Sequence, residues 1–155
     1  MSRILVFTGS TGGGHTQVAK TLQKELESRG HEVIISDLLN DFSRIIKFIC
    51  VDTYRFLYKR IPVLYGVTYR WSNHKIISNV ATTVFNALIG RKLIKYISEL
   101  EVDIVVSVHP FGSGVLGKLR KNKKIECNTI ALITDFKAHW MHVGKECRSR
   151  WSPYH

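Results

Sequence analysis

The stretch RILVFTGSTGGGHTQVAKTL, residues 3–22, joins a short apolar run to a glycine-rich turn and then to a helical pattern. Residues 3–8 have the continuous apolar character of a buried strand in a parallel sheet. Residues 15–29 form a predicted helix that ends at Gly30, a suitable residue for a helix stop. Apolar side chains recur at helical spacing in it, at Val18, Leu22 and Leu26. This order predicts the first strand–helix unit of an α/β protein.

The remainder of the chain continues the alternation of strands and helices. Further strands are predicted at 32–37, 103–110 and 128–134, and further helices at 42–60, 76–98 and 113–121. Such an order predicts a parallel sheet with helices on both faces and right-handed crossovers. Ligands of these sheets bind outside the carboxyl ends of the strands. Conspicuous residues follow all four strands there: Gly12 to His15, Asp37, His109 with Pro110, and Asp135.

Composition limits the class of protein. The chain has 155 residues, the length of one domain, and it is 45% hydrophobic, enough to bury a core. Its formal net charge of +11 predicts an anionic partner: nucleic acid, an acidic membrane surface or a phosphorylated substrate. Three cysteines without a C-x-x-C pair indicate reduced thiols in the cytosol. There is no signal-peptide pattern and no apolar run near the ~20 residues that span a bilayer, so we expect no membrane crossing.

The glycine-rich turn nearly matches the P-loop of nucleotide-binding proteins. Gly9, Gly14 and Thr16 fit the pattern G-x-x-x-x-G-K-[ST], but His15 stands where the pattern has lysine. A P-loop lysine is a fixed cation, whereas histidine, with an unperturbed pKa of about 6.5, is mostly neutral at cytosolic pH. The substitution therefore argues against an NTPase.

Two further interpretations of this turn stay open. The dinucleotide pattern G-x-G-x-x-G fails at Gln17, although Asp37 lies about where a ribose-binding acid would be. A turn whose backbone N–H groups open a helix attracts anions, and here it also presents one imidazole. Two roles fit His15: a general base that removes a proton from a hydroxyl, or a simple cap of the helix.

Residues 41–75 mix basic and aromatic side chains. Between 42 and 75, seven lysines and arginines accompany one acid, Asp52, a balance of +6 (7 − 1). On an α-helical projection one face is apolar, with Phe42, Ile45, Ile46, Ile49, Thr53, Phe56 and Leu57. The other face carries Arg44, Lys47, Arg55 and Lys59, interrupted by Phe48, Val51 and Tyr58. This mixture suits anionic lipid headgroups, and it equally fits an ordinary amphipathic helix docked on the sheet.

Other features have weaker implications. His139 and His142, with His109, suggest a metal site, but H-x-x-H is weakly specific and we expect these side chains to line a cleft or pack locally. The basic run KLRKNKK, 118–124, is most simply a solvated loop. No recognised nucleic-acid motif is present, so we expect no nucleic-acid partner.

Four motifs together resemble one family. ILVFTGSTGGGHTQVAKTL, YKRIPVLYGVTYRWS, DIVVSVHPF and TDFKAHWM occur in that order between residues 4 and 141. They resemble the diacylglycerol glycosyltransferases that make membrane glycolipids, namely plant monogalactosyldiacylglycerol synthases and bacterial processive glucosyltransferases. The resemblance implies a Rossmann-like, lipid-acceptor half of a two-domain GT-B glycosyltransferase over residues 1–143.

The resemblance also implies an activity and a site. The family transfers a hexose from UDP-glucose or UDP-galactose to diacylglycerol, on an anionic membrane surface that the enzyme contacts peripherally from the cytoplasm, without a metal or other cofactor. His15 matches the family's base. Thr11, Gly12, Gly13 and Gly14 would line the reacting centre, and His109, Pro110, Asp135, His139 and Trp140 would shape the acceptor side. Arg44, Lys47, Arg55, Lys59, Arg60 and Trp71 would meet the membrane.

The last twelve residues depart from the family pattern. Where another apolar strand is expected, residues 144–155 contain Arg148, Arg150 and Pro153. We therefore expect a truncated or frame-shifted reading that lacks the C-terminal UDP-sugar domain, with weak UDP-sugar binding and no turnover alone. The alternative is a non-catalytic Rossmann-like module that binds an anionic lipid or a nucleotide.

Overall fold

The computed structural model describes residues 1–9, 13–43, 45, 47–61, 63–64, 67, 70, 74–134 and 149–151. In those ranges the strands are β1 (Arg3–Thr8), β2 (Glu32–Asp37), β3 (Ile104–Ser107), β4 (Asn128–Leu132) and β5 (Ser149–Trp151). The α-helices are α1 (Gly13–Ser28), α2 (Leu38–Asp41), α3 (Thr53–Arg60), α4 (Lys75–Leu100) and α5 (Pro110–Lys121), and Lys47–Asp52 is a π-helix. None of the helices in these ranges has both the length and the apolar character needed to cross a membrane.

All five strands form one parallel sheet in the order β2-β1-β3-β4-β5. The chain leaves β1 toward β2 on one side and later returns to β3 on the other side of β1. Such a reversal of strand order opens a crevice at the carboxyl ends of the two strands, here β1 and β3. The predicted Rossmann-like α/β fold is confirmed.

Helices cover both faces of the sheet because successive strand residues point to opposite sides. On β1, Ile4 and Val6 pack in one core while Leu5 and Phe7 pack in the other. The first core includes α1, through Ala19 and the predicted apolar positions Val18, Leu22 and Leu26. The second core includes α4 and α5, through Ile89, Leu93, Val115 and Leu116. The near-continuous apolar character of β1 follows from this double burial.

The boundaries of the first βαβ unit agree closely with the prediction. β1 and β2 have the predicted ends, and α1 begins at Gly13, two residues before the predicted start. Gly30 has φ +82°, the left-handed conformation that ends many helices. Its N–H donates to Glu27 O at 3.0 Å, which closes the last turn.

The single helix predicted over 42–60 is confirmed in part: it ends at Arg60 as predicted, but it is not one regular α-helix. α2 already ends at Asp41, and a π-helix, Lys47–Asp52, leads into α3. The Thr53 hydroxyl donates to Phe48 O, five residues back, at 3.1 Å. A π-helix has i→i+5 hydrogen bonds and more residues per turn than an α-helix, so an α-helical projection misplaces its side chains.

Burial shows the consequence for the predicted faces. Val51, predicted on the basic face, is buried in the core at 1% exposure. Ile45 and Phe56, predicted on the apolar face, are each 59% exposed. Among the predicted apolar residues whose side chains the structure describes, Phe42 packs in the core, edge-on against Phe7 with ring centroids 5.9 Å apart.

The later elements differ in their ends. β3 stops at Ser107, and α5 starts at Pro110 rather than 113, because the His109 side chain caps the helix and proline is favoured at its first position. β4 ends at Leu132 rather than 134.

A short strand lies in the tail where the sequence predicted none. β5 pairs in parallel with β4, with Ala131 opposite Arg150. A strand at the edge of a sheet needs backbone pairing on one side only, and charged residues are common there. The apolar pattern used for the prediction is therefore a poor guide to this strand.

Candidate functional site

Three side chains from distant parts of the chain meet at the crevice between β1 and β3. His15 lies in the first turn of α1, after β1; His109 follows β3; and Thr134 follows β4. The His15 and His109 rings meet edge to face, with centroids 4.8 Å apart. His15 Nδ1 lies 2.7 Å from Thr134 Oγ1. The sheet therefore joins residues separated by 119 positions in the sequence.

The start of α1 is an open, positively polarised surface. Gly13 and Gly14 are exposed, and a Cβ added to either would meet nothing within 4 Å. The first turn contains no acidic residue. Its backbone N–H groups lack partners within the helix, and the helix dipole adds positive potential. His15, which is partly buried, thus lies beside a place suited to negative charge.

His109 is fixed by hydrogen bonds at the start of α5. Its side chain is 3% exposed, and its Nδ1 accepts from Phe111 N at 3.3 Å. The hydroxyls of Ser107 and Ser113 donate to its carbonyl oxygen at 2.9 and 3.3 Å. Because Nδ1 is an acceptor, the ring is neutral with its hydrogen on Nε2. His109 is thus a helix cap that also packs against His15.

Close packing around His109 depends on a glycine that the sequence prediction did not assign. A Cβ on Gly9 would lie 2.6 Å from His109 Cδ2, closer than real side chains allow. Gly112 is also closely packed: a Cβ added to it would lie 2.2 Å from Ser107 Oγ, whose hydroxyl binds the His109 carbonyl oxygen. The glycine pattern of the sequence includes Gly9, but its contact with His109 is visible only in the fold.

The predicted site residues divide into two groups. The structure brings together His15, Gly13, Gly14, His109 and Pro110 at the carboxyl edge of the sheet. Thr11, Gly12, Asp135, His139 and Trp140 lie outside the described residues. His109 is buried rather than open to the crevice, so its burial favours support of His15 over direct contact with a ligand.

Thr134 is a site residue that the sequence analysis missed. It directly precedes Asp135 in the fourth motif, in which the acid and the histidines are the more conspicuous residues. A hydroxyl at the last residue of the predicted strand 128–134 was the only signal, and it is a weak one. The contact with His15 depends on strand order, which no local pattern gives.

Asp37 caps a helix, a role that the sequence alone does not distinguish from ribose binding. Its Oδ1 accepts from Leu39 N at 3.0 Å and Asn40 N at 3.1 Å, and its Oδ2 accepts from Asn40 Nδ2 at 2.8 Å. Oδ1 therefore caps the N-terminus of α2, and Oδ2 binds a side chain of the same helix. This arrangement favours a cap over a dinucleotide site.

The described part of the chain offers neither a metal-ligand cluster nor an activated thiol. Among those residues, no three His, Cys, Asp or Glu side chains are grouped to hold a metal ion; His139 and His142 lie outside them. Burial raises the pKa of the Cys127 thiol, although nearby Arg120 opposes that effect. A thiol with a raised pKa is a poor nucleophile at neutral pH.

The described residues of segment 47–70 present basic and apolar side chains to solvent. Of the predicted membrane-contact residues, Lys47, Lys59 and Arg60 are exposed. Arg44, Trp71 and the side chain of Arg55 lie outside the described part. Exposed apolar side chains accompany the basic ones: Phe48 66%, Phe56 59%, Ile61 43%, Val63 79% and Val67 58%. A segment of this composition is unusual on a surface that faces only water.

The chain matches one family model and several named relatives. Residues 15–147 match the model described as monogalactosyldiacylglycerol (MGDG) synthase. Proteins named processive diacylglycerol beta-glucosyltransferase from Bacillus thuringiensis (strain Al Hakam), Bacillus cereus (strain AH187) and Bacillus anthracis (strain CDC 684 / NRRL 3495) are each 30% identical over 146 residues. The match covers 90% of this chain and 36% of each relative, so the chain spans about a third of their length. No solved structure matches the chain.

Proposed function

This chain belongs to the monogalactosyldiacylglycerol synthase family, and from that premise we propose that it is the acceptor half of a glycosyltransferase. The complete enzyme transfers a hexose from UDP-glucose or UDP-galactose to the hydroxyl of diacylglycerol. The Rossmann-like sheet is that of the family's N-terminal GT-B half. In this proposal the donor is held mainly by the part of the enzyme outside the region that matches the relatives, which is 36% of their length. The 155 residues tested alone should therefore give no turnover.

The proposal places proton transfer on His15. The acceptor oxygen forms a bond to the anomeric carbon of the sugar while the bond from that carbon to the diphosphate breaks. The hydroxyl proton passes to the His15 imidazole, and the electron pair leaves with UDP. A neutral imidazole is required, because only its lone pair can accept the proton.

The observation that carries this proposal is the position of His15 at the switch-point crevice. The ring is partly buried, hydrogen-bonded to Thr134 and packed against His109, rather than enclosed in an apolar core. The positive end of α1 beside it favours negative charge that develops on the departing diphosphate. Support for the departing group comes from backbone dipoles, so no metal ion is needed in this account.

We further propose that segment 47–70 contacts an anionic membrane. Lys47, Lys59, Arg60 and Arg70 are exposed and supply positive charge, and the neighbouring exposed aromatic and aliphatic side chains can enter the interface. Diacylglycerol resides in that interface. Contact there would bring the crevice close to its acceptor.

Fusion to the C-terminal donor half of a Bacillus relative tests the proposed activity. The fusion should form hexosyl-diacylglycerol in vesicles that contain diacylglycerol and one UDP-sugar, UDP-glucose or UDP-galactose, whereas the 155-residue chain alone should form none. His15→Ala should lower the rate by about 10²–10⁴-fold, the usual contribution of a general base. His31→Ala is the matched control, since His31 lies before β2 and accepts a hydrogen bond from Ser2 N, away from the crevice.

Two results would contradict the proposal. A fusion that folds and binds vesicles but forms no glycolipid from either sugar would favour the alternative of a non-catalytic lipid- or nucleotide-binding module. Unchanged transfer in His15→Ala would remove the imidazole from the reaction.

A further inference from the structure

Thr134 connects His15 to the backbone of the sheet. The Thr134 hydroxyl donates to Val108 O at 3.3 Å, and its oxygen lies 2.7 Å from His15 Nδ1. Val108 is itself held to β1, because its N–H donates to Phe7 O at 2.9 Å. A continuous series of hydrogen bonds therefore runs from β1 through the end of β3 and the end of β4 to the imidazole.

The direction of these hydrogen bonds is linked to the tautomer of His15. A threonine hydroxyl has one hydrogen, and a carbonyl oxygen such as Val108 O can only accept. With that hydrogen directed to Val108 O, the hydroxyl presents lone pairs to the ring. His15 Nδ1 must then carry the hydrogen and donate it.

From this geometry, and resting on the proposed function, we propose that Thr134 is a positioning residue that holds His15 as the Nδ1–H tautomer and so makes Nε2 the basic nitrogen. A neutral imidazole has one N–H and one lone pair, and the hydrogen bond at one nitrogen sets the role of the other. The hydrogen bond also fixes the plane of the ring. Nε2 then lies on the side of the ring away from Thr134.

The neighbouring histidine has the opposite tautomer, which separates the roles of the two rings. His109 Nδ1 accepts from Phe111 N, so protonation there would cost the cap of α5. His15 Nδ1 is a donor in both the neutral and the protonated ring, so His15 gains a proton at Nε2 without losing its bond to Thr134. Of the two imidazoles in contact, His15 is thus the one arranged to receive a proton.

Nitrogen NMR on the intact 155-residue chain tests the inference without any turnover. Long-range ¹H–¹⁵N correlations at about pH 8.5, above the ordinary histidine pKa, distinguish the protonated ring nitrogen from the unprotonated one. His15→Gln identifies the His15 signals by their loss. The native chain should show His15 with its hydrogen on Nδ1, and Thr134→Val should shift it toward the Nε2–H form that free imidazole side chains prefer.

Two further variants make the result specific. Thr134→Ser keeps the hydroxyl and should restore the Nδ1–H form. Thr129→Val is the matched control: Thr129 lies in β4, is 1% exposed, and its hydroxyl has no hydrogen-bond partner in the described structure. This change should leave the His15 tautomer as it is in the native chain. A native Nε2–H tautomer, or an unchanged tautomer in Thr134→Val, would overturn the inference.

Activity gives a second readout that separates this inference from the proposed function. In the fusion with a donor half, Thr134→Val should lower kcat about tenfold with little change in KM for diacylglycerol, and Thr134→Ser should restore kcat. Native kcat in Thr134→Val would contradict the positioning role. If the fusion has no activity at all, the proposed function fails, while the NMR result still decides the tautomer.

Discussion

At the scale of single residues, Gly9 and His109 illustrate how the site is packed. A Cβ on Gly9 would lie 2.6 Å from His109 Cδ2 and 2.9 Å from Cγ, so the buried ring would have to move. We expect Gly9→Ala to lower the free energy of unfolding by about 1–3 kcal/mol, the usual cost of overpacking. Urea denaturation measures this loss.

The control for this substitution is Gly13→Ala, in the first turn of α1. A Cβ there meets nothing within 4 Å, so we expect no loss of stability. Equal stability of Gly9→Ala and the native chain would mean that His109 is free to move, contrary to its cap and its 3% exposure.

The sequence predicts some of these residues and not others, for a physical reason. His15 stands out because it replaces a lysine in a local glycine pattern, so its place after β1 is readable from adjacent residues. Thr134 and Gly9 act on partners that are remote in sequence. Their roles depend on which strands are neighbours, which local spacing does not encode.

At the scale of secondary structure, α2 is held by its N-cap residue, Asp37. Asp37 accepts hydrogen bonds from two backbone N–H groups of α2 and from the Asn40 side chain. We expect Asp37→Ala to lower the free energy of unfolding by about 1 kcal/mol, as is usual for loss of an N-cap. Urea denaturation again gives the value.

Asp52→Ala is the matched control for Asp37. Asp52 occupies the N-cap position of α3 but makes no side-chain cap hydrogen bond. Its replacement should change stability by no more than about 0.5 kcal/mol. Similar losses in both variants would show that the hydrogen bonds of Asp37 are not what stabilises α2.

Helix type explains the main error of prediction. The sequence predicts the ends of α1 and α4 to within two residues because both are regular α-helices with a buried stripe. Directly before α3, Lys47–Asp52 form a π-helix, whose residues turn by a different angle. Val51 consequently faces the core, and Phe56 faces solvent.

At the scale of the whole molecule, the +11 charge and segment 47–70 predict binding to anionic vesicles. Lys59→Ser with Arg60→Ser should weaken binding to phosphatidylglycerol-containing vesicles roughly thirtyfold, at about 1 kcal/mol for each basic residue near the surface. Sedimentation with vesicles measures the affinity. Added salt should weaken binding of the native chain because it screens these charges.

A double variant outside segment 47–70 is the control for the loss of two positive charges. Lys121→Ser with Lys124→Ser removes the same charge from the exposed last residue of α5 and the turn after it, since the basic run predicted as a loop begins inside that helix. This pair should change binding only slightly. An equal loss in both double variants would mean that net charge, rather than segment 47–70, determines the affinity.

The sequence predicts the architecture of the molecule better than its edges. Alternating apolar strands and amphipathic helices lead to a parallel sheet, and the carboxyl-edge rule then locates the crevice. β5 is not predicted in this way, because it has no apolar pattern of its own. It is a strand because its backbone pairs with β4. The carboxyl-edge rule places His15 and His109 at the same edge of the sheet, but it does not predict their edge-to-face contact.

The central claim, that the His15 imidazole accepts the acceptor's proton, is tested most directly by chemical rescue. In the fusion with a donor half, His15→Ala should lose hexose transfer, and added imidazole should restore it in proportion to its neutral form while leaving the native rate unchanged. Hexose transfer by His15→Ala at the native rate, with or without imidazole, would contradict the account.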